Sequence, residues 1–244
     1  MNLITLLDNG IFTMSNRILP LSDAVTHMIA AGEVVEGPFS VVKELIENAV
    51  DADAKNVVVE VEDSGFKLIM VRDDGSGIYR DDILLAVQEH ATSKIRDITD
   101  ISEISSYGFR GEALSSIGAI SSLTILTRRE EEKFGGRLES RNGSSTVTDY
   151  AGPVGTTVIV ENLFYNTPAR KKFMKSLSAE SRAIRETVLR AAIPMHEISF
   201  TLIANGKTVL SCDKVKSRQE RIAQLFGTDE MDSLIHETLA DISV

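Results

Sequence analysis

Glu44 and Asn48 stand four residues apart in Val41-Val42-Lys43-Glu44-Leu45-Ile46-Glu47-Asn48, and 25 residues after Asn48 comes Asp73-Asp74-Gly75-Ser76-Gly77-Ile78. On a helix, residues four apart project from one face. A carboxylate there can polarise a water, and the amide oxygen beside it can ligate a hard cation such as Mg2+. Taken alone, the pair fits an ordinary solvated helix surface better, because that spacing is common. Gly75 and Gly77 let the backbone bend and approach a flat ligand closely. Asp73, held at that bend, can accept from an exocyclic amine, the donor that adenine presents and guanine lacks at the same edge position. In isolation the string also reads as a polar turn.

Two further strings complete a set. From His90 to Gly111 the chain is polar and broken by glycine, and a loop above ~15 residues in a compact domain is usually functional or disordered. It runs into Gly111-Glu112-Ala113-Leu114, a helical start whose free N–H groups suit phosphate oxygens, with Lys94 and Arg110 adding positive charge. A surface loop is the alternative; the glycines bracketing a helix start favour the phosphate. Gly155-Thr156-Thr157-Val158 then opens a strand with hydroxyls, either of which could share the hydrogen bonding around Asp73, although threonines are also plain strand formers. In this order the strings supply a general base, a metal ligand, a base-reading carboxylate and a phosphate-covering loop. A nucleotide-hydrolysing site needs those four parts.

The elements that must position them follow from periodicity. Ser22 to Asp51 carries apolar residues at helical spacing, and Pro38 starts its second half. Residues 56–62 alternate as a strand, Ser64-Gly65 signals a turn, and Lys67 to Arg72 reads as the partner strand of a hairpin ending at Asp73. Strands are predicted over Ser122–Arg128, Gly136–Arg141, Ser145–Tyr150 and Thr156–Val160, then a basic helical stretch over Pro168–Ala192. A hairpin over Ile198–Ile203 and Lys207–Cys212 turns at Asn205-Gly206, and a short helix over Arg218–Phe226 ends at Gly227. The expected fold is a two-layer α/β (α+β) sandwich, a mixed, mostly antiparallel sheet backed by helices.

Composition sets bounds. With 244 residues and 43% apolar content, the chain can support one full core and part of another. Its single cysteine, Cys212, excludes a disulfide framework, and His27, His90, His196 and His236 lack zinc-ligand spacing. No run approaches the ~18 apolar residues of a membrane span, and no signal segment is visible. A net charge of −10 argues against a general nucleic-acid coat protein. The charge is uneven, however: Arg170, Lys171, Lys172, Lys175, Arg182, Arg185 and Arg190 face only Glu180 and Glu186 between residues 164 and 190. That excess fits a DNA-facing helix about as well as a solvated one.

Glu-x-x-x-Asn, Asp-x-Gly-x-Gly, the glycine-bearing loop and Gly-Thr-Thr, in this order, resemble the nucleotide site of the GHKL ATPases: type II topoisomerases, ninety-kilodalton heat-shock chaperones, histidine kinases and MutL proteins. Longer strings narrow the resemblance to MutL: Ile29-Ala30-Ala31-Gly32-Glu33-Val34-Val35-Glu36, His90-Ala91-Thr92-Ser93-Lys94, Gly108-Phe109-Arg110-Gly111-Glu112-Ala113-Leu114 and Phe164-Tyr165-Asn166-Thr167-Pro168-Ala169-Arg170. The match runs from about Arg17 to Arg170 and less distinctly through Lys207. A histidine kinase would need a phospho-acceptor helix upstream, and only His27 precedes the site. A module that binds nucleotide without turnover is the rival from another class.

The resemblance implies a Bergerat-type ATP-binding fold with ATP and Mg2+ as cofactors. Glu44 is then the base that activates water, Asn48 the Mg2+ ligand, and Asp73 the reader of the adenine amine with Thr156 in support. Gly75, Gly77 and Ile78 line the ATP site, while Thr92, Lys94, Gly108, Phe109, Arg110, Gly111, Glu112, Ala113 and Leu114 belong to the lid over the triphosphate. Arg170, Lys171, Lys172 and Lys175 are candidate DNA contacts. The implied partners are DNA, the mismatch sensor MutS, a second MutL subunit joined through ATP-dependent N-terminal dimerisation, and a downstream endonuclease or helicase, with no membrane. The implied location is cytoplasmic, on a bacterial nucleoid.

Two departures stand out: the family usually has Asn at Asp74 and Gly at Asp53. Asp74 puts a second carboxylate beside Asp73, which is expected to raise the pKa of one of them. Residues 1–13 resemble nothing in the family, so Met14 is a candidate start and Met1–Thr13 is expected to be disordered. Residues 14–213 read as the nucleotide-binding domain, with the boundary near Ser211–Ser217. Residues 214–244 read as the opening of a second, transducer-type domain. In the family that domain sends a lysine to the terminal phosphate, so this length of chain is expected to bind ATP and hydrolyse it poorly.

Overall fold

The computed structural model describes residues 31, 34–88, 91 and 112–227. The readings for Met1–Thr13, for the helical stretch before residue 31, for most of the lid and for residues 228–244 lie outside them. Helix α1 spans Pro38–Asp51, with Pro38 in its first turn, where a missing N–H costs nothing. Ser40 Oγ accepts from Gly37 N and donates back to Gly37 O, closing the entry. Val41, Val42, Leu45, Ile46 and Ala49 form its buried stripe.

The end of α1 is set by the departure at residue 53. Asp53 N donates to Val50 O and Ala54 N to Ala49 O, the paired bonds of a Schellman motif, with Asp53 at φ 60°. Glycine adopts that conformation without a Cβ penalty; aspartate does not. Asp53→Gly is therefore expected to stabilise the folded chain by about 0.5–1 kcal/mol, read as a small rise in the urea midpoint with an unchanged slope.

Eight strands form one sheet: β1 (Asn56–Glu62), β2 (Leu68–Asp73), β3 (Ser122–Arg128), β4 (Gly135–Arg141), β5 (Ser144–Tyr150), β6 (Gly155–Glu161), β7 (Ser199–Ala204) and β8 (Lys207–Cys212). Their order is β5-β4-β3-β6-β2-β1-β7-β8, antiparallel throughout except for the parallel β1–β7 pair. Val57, Val59 and Val61 alternate into the core with Ile69, Val71, Leu123, Ile125, Val158 and Val160. Helices α1, α2 (Ala113–Ala119) and α4 (Leu177–Ala192) pack over this layer. The expected mixed, mostly antiparallel sheet backed by helices is the fold observed.

Two local readings are corrected and one, the turn at Ser64-Gly65, is refined. Strand β2 starts and ends one residue later than expected, which makes Asp73 its last member rather than the residue after it. The link from β1 to β2 is a 3-10 turn over Asp63–Gly65, with Asp63, Ser64 and Gly65 all at positive φ. The basic stretch 168–192 is two helices: α3 (Pro168–Lys172) and α4, parted at Phe173–Ser176. Ser176 breaks it, because its extended backbone and its side chain, accepting from Ala179 N, make it the N-cap of α4.

The helix expected over 218–226 forms as α5 (Arg218–Phe226), capped by Ser217 and ended by Gly227 at φ 92°. It is fastened to the sheet by Arg221, which is fully buried and donates to the carbonyls of Ala192, His196, Ile198 and Asp213 and to Cys212 Sγ. Backbone oxygens can hold a buried guanidinium when they satisfy its donors.

Candidate nucleotide site

Strand register builds one end of the candidate site. Asp73 pairs with Thr156 across β2–β6, and Thr156 pairs with Thr127 across β6–β3. Directly opposed residues share a face, so the carboxylate and two hydroxyls lie in one row on the sheet. Asp73 Oδ1 accepts from Gly75 N at 2.9 Å and from Thr156 N at 3.3 Å. No described residue donates to Oδ2, which leaves that oxygen for a ligand.

The glycines are there for closeness. A Cβ on Gly75 would lie 2.6 Å from Ala52 O, and one on Gly155 only 2.2 Å from Asp73 O. Gly77, at φ 74°, passes against the Arg128 carbonyl. Ser76 N donates to Ala52 O at 2.8 Å, so the turn after Asp73 rests on the end of α1. Ile78 N donates to Thr127 Oγ1 at 2.8 Å.

The two adjacent carboxylates diverge in charge. Burial pushes Asp73 up to about 6; bonds from Gly75 and Thr156 oppose this, and repulsion from Asp74 adds only the smallest part. Asp74 is also pushed up by burial, but its hydrogen bonds outweigh that and hold it below the ordinary carboxylate range. Its Oδ1 accepts from Lys55 N and Asn56 N, and its Oδ2 from Asn56 Nδ2. The expected rise therefore falls on Asp73, and its main cause is burial. Asp74 itself is a clamp that joins the Asp73 turn to the start of β1.

The other end of the site lies further along α1. Glu44 and Asn48 are half-buried on one face, one and two turns before Ala52 in the order Asn48, then Glu44. Glu44 lines a cleft with Val34, Ser40, Val41, Ala113 and Ile117, so the start of α2 stands across from it. Glu112 is the N-cap of α2, and Ala113 and Leu114 are its first residues. The rise from Ala52 back to Glu44 is ~12 Å at 1.5 Å per residue, along which a nucleotide could lie extended. Thr92, Lys94, Gly108, Phe109, Arg110 and Gly111 lie outside the described residues.

The basic residues divide. Arg170 is half-buried, donates to Val35 O at 2.9 Å and stacks over Phe164, so it packs α3 against the segment before α1. Lys171, Lys172 and Lys175 are exposed, with Lys171 over the Phe66 ring. Thr127 was not visible as a site residue in the sequence: nothing in Leu126-Thr127-Arg128 marks it until register places it beside Thr156.

Comparison with known proteins places the chain in a family. Residues 36–150 match the family model described as histidine kinase-, DNA gyrase B- and HSP90-like ATPase. The DNA mismatch repair protein MutL of Pseudomonas fluorescens is 44% identical over 225 residues, covering 90% of this chain and 36% of that protein. MutL of Koribacter versatilis is 47% identical over 220 residues, covering 90% and 34%. The chain thus spans about a third of the length of the curated relatives it matches. Among solved structures, the Aquifex aeolicus MutL ATPase domain complexed with ADP superposes with a TM-score of 0.65 at 34% identity, covering 80% of this chain and 70% of that one. By these matches the chain belongs to the MutL family of DNA mismatch repair proteins, in the region of their GHKL-type ATPase domain.

Proposed function

We propose that this chain binds ATP with Mg2+ along α1 and hydrolyses it, the adenine at Asp73 and the terminal phosphate near Glu44. The observation that carries the reading is that α1 joins both ends: its Ala52 carbonyl holds the Asp73 turn, and its Glu44 faces Ala113 across the cleft. Asp73 Oδ2 accepts from the adenine amine, and Gly75, Gly77 and Ile78 form the floor under the ring. Asn48 offers one amide oxygen, which suits a cation that takes its remaining ligands from phosphate and water. Bound there, Mg2+ would neutralise charge on the phosphates. Glu44 takes a proton from a water as its oxygen attacks the terminal phosphorus; the bond to the ADP oxygen breaks, giving ADP and phosphate.

The lid residues Thr92, Lys94 and Gly108–Leu114 are proposed to close over the triphosphate, and closure is proposed to drive dimerisation with a second subunit. That makes the domain an ATP-gated switch between mismatch recognition by MutS and a downstream endonuclease or helicase. Lys171, Lys172 and Lys175 offer the exposed charge for DNA. Residues 14–213 are taken as the nucleotide-binding unit and residues from 214 as the lead into a second domain, bolted to the first by Arg221. A polypeptide of these 244 residues alone is expected to turn ATP over slowly, since the family's second-domain lysine must reach the terminal phosphate. No helix among the described residues is long and apolar enough to cross a membrane; a cytoplasmic, nucleoid-associated location is proposed.

Lid closure is tested by amide hydrogen exchange with and without a non-hydrolysable ATP analogue. Exchange across residues 91–111 should slow on binding, because the triphosphate's charge offsets the entropy of ordering the loop. Equal exchange in both states would rule out a nucleotide-dependent lid.

A further inference from the structure

Thr127 is fully buried, and its single hydroxyl serves three neighbours. It accepts from Ile78 N at 2.8 Å, lies 3.0 Å from Thr156 Oγ1, and lies 3.2 Å from Gly155 O. It thereby ties the loop after Asp73 to the first residues of β6, the two segments that frame the base. A hydroxyl has one proton and two lone pairs. With Ile78 N–H on one lone pair, two arrangements remain. Either Thr127 donates to Gly155 O and receives the Thr156 proton, or Thr127 donates to Thr156 and frees the Thr156 proton to point elsewhere.

We infer that Thr127 is a positioning residue for base selection: it donates to Thr156 when nucleotide is bound, so that Thr156 donates to the ring nitrogen beside the adenine amine. This rests on Asp73 being the base-reading carboxylate. Asp73 Oδ2 then supplies an acceptor and Thr156 a donor, side by side on one row of the sheet. Adenine presents a donor at its amine and an acceptor at N1, the complementary pair. Guanine presents the reverse order there, an oxygen and an N–H, and each would meet a like group. An unpaired buried polar group is what gives such a site its discrimination. Thr127 touches no ligand. Its part is to choose which way the Thr156 proton points.

A thermodynamic cycle between residue and ligand isolates that role. The full chain, Thr127→Val, Thr127→Ser and Asp73→Asn are titrated with Mg·ATP and with Mg·1-deaza-ATP, in which CH replaces N1. The unaltered chain should bind 1-deaza-ATP about tenfold more weakly than ATP, the size of one hydrogen bond left unmade. Thr127→Val takes away the donor that fixes the Thr156 lone pairs, so ATP should bind several-fold more weakly and the preference between the two ligands should shrink, while Thr127→Ser restores both affinity and preference. If Thr127→Val weakens both ligands in parallel, or neither, Thr127 does not orient Thr156 and the inference is wrong. If Asp73→Asn binds ATP as the unaltered chain does, the base-reading role of Asp73 falls as well. If Asp73→Asn weakens ATP while Thr127→Val keeps both affinity and preference, only the assignment of Thr127 falls.

Discussion

Asp73→Asn is expected to bind ATP roughly 10- to 150-fold more weakly, the effect of losing a hydrogen bond to a charged group worth about 1.5–3 kcal/mol. The direction follows from how the carboxylate is held. Oδ1 is committed to the N–H groups of Gly75 and Thr156, so an asparagine must place its own oxygen there. Its NH2 then replaces Oδ2, and a donor meets the adenine amine. Equilibrium titration with a fluorescent ATP analogue measures the loss. Unchanged affinity would exclude Asp73 as the base reader.

The same substitution should stabilise the ligand-free chain above pH 6. The folded pKa of Asp73 is about 6 against an ordinary 3.8, so between these values the folded state holds a proton that the unfolded state gives up. Stability therefore falls as pH rises through that window, and the cost of the buried charge is complete above it. For a half-buried group that cost is about 1–3 kcal/mol. Asp73→Asn removes it, so the variant should melt higher than the unaltered chain at pH 8 and level with it near pH 4. ATP affinity of the unaltered chain should drop as pH falls through about 6, where the acceptor is protonated. A binding site held at the expense of stability is the physical content of that pair of results.

Glu44→Ala is expected to cost more. In a polypeptide that continues through the length of the curated relatives, ATP should bind about as before and turnover should fall roughly 10²- to 10⁴-fold, the usual share of a general base. Glu44 stands one helical turn from Asn48, so truncating it leaves Asn48 and the Asp73 turn in place. Single-turnover hydrolysis beside equilibrium binding separates the two effects. If binding and turnover fall together, Glu44 holds the ligand or the helix and is not the base. If the 244 residues alone hydrolyse ATP briskly and lose that activity with Glu44, catalysis needs no second-domain lysine.

Much of this architecture can be read without coordinates. Alternation in Val57–Val61 and the limits of Ser122–Arg128 and Lys207–Cys212 are strong signals, because one buried face imposes a period of two. Pro38 marks a helix start by its chemistry, and Glu44 and Asn48 share a face by spacing. Other features are not local. Thr127 enters the site only through the β3–β6 register, which no property of its neighbours encodes. Arg221 reads as one more surface cation on α5, yet carbonyls from three separate segments enclose it. Arg170 reads as a DNA contact from charge alone, while its guanidinium lies over Phe164 and bonds Val35. The break between α3 and α4 was legible in Ser176 but was masked by an apolar and basic run that continues the helical pattern.

The most direct test is calorimetric titration of the unaltered 244-residue chain with Mg·ATP and with Mg·GTP at pH 8, where Asp73 is ionised. One equivalent of ATP should bind, and GTP should bind at least tenfold more weakly, since Asp73 Oδ2 then faces an oxygen in place of an amine. Equal binding of the two nucleotides, or no binding of ATP, would contradict a site in which Asp73 reads the base at one end of α1 and Glu44 meets the phosphate at the other.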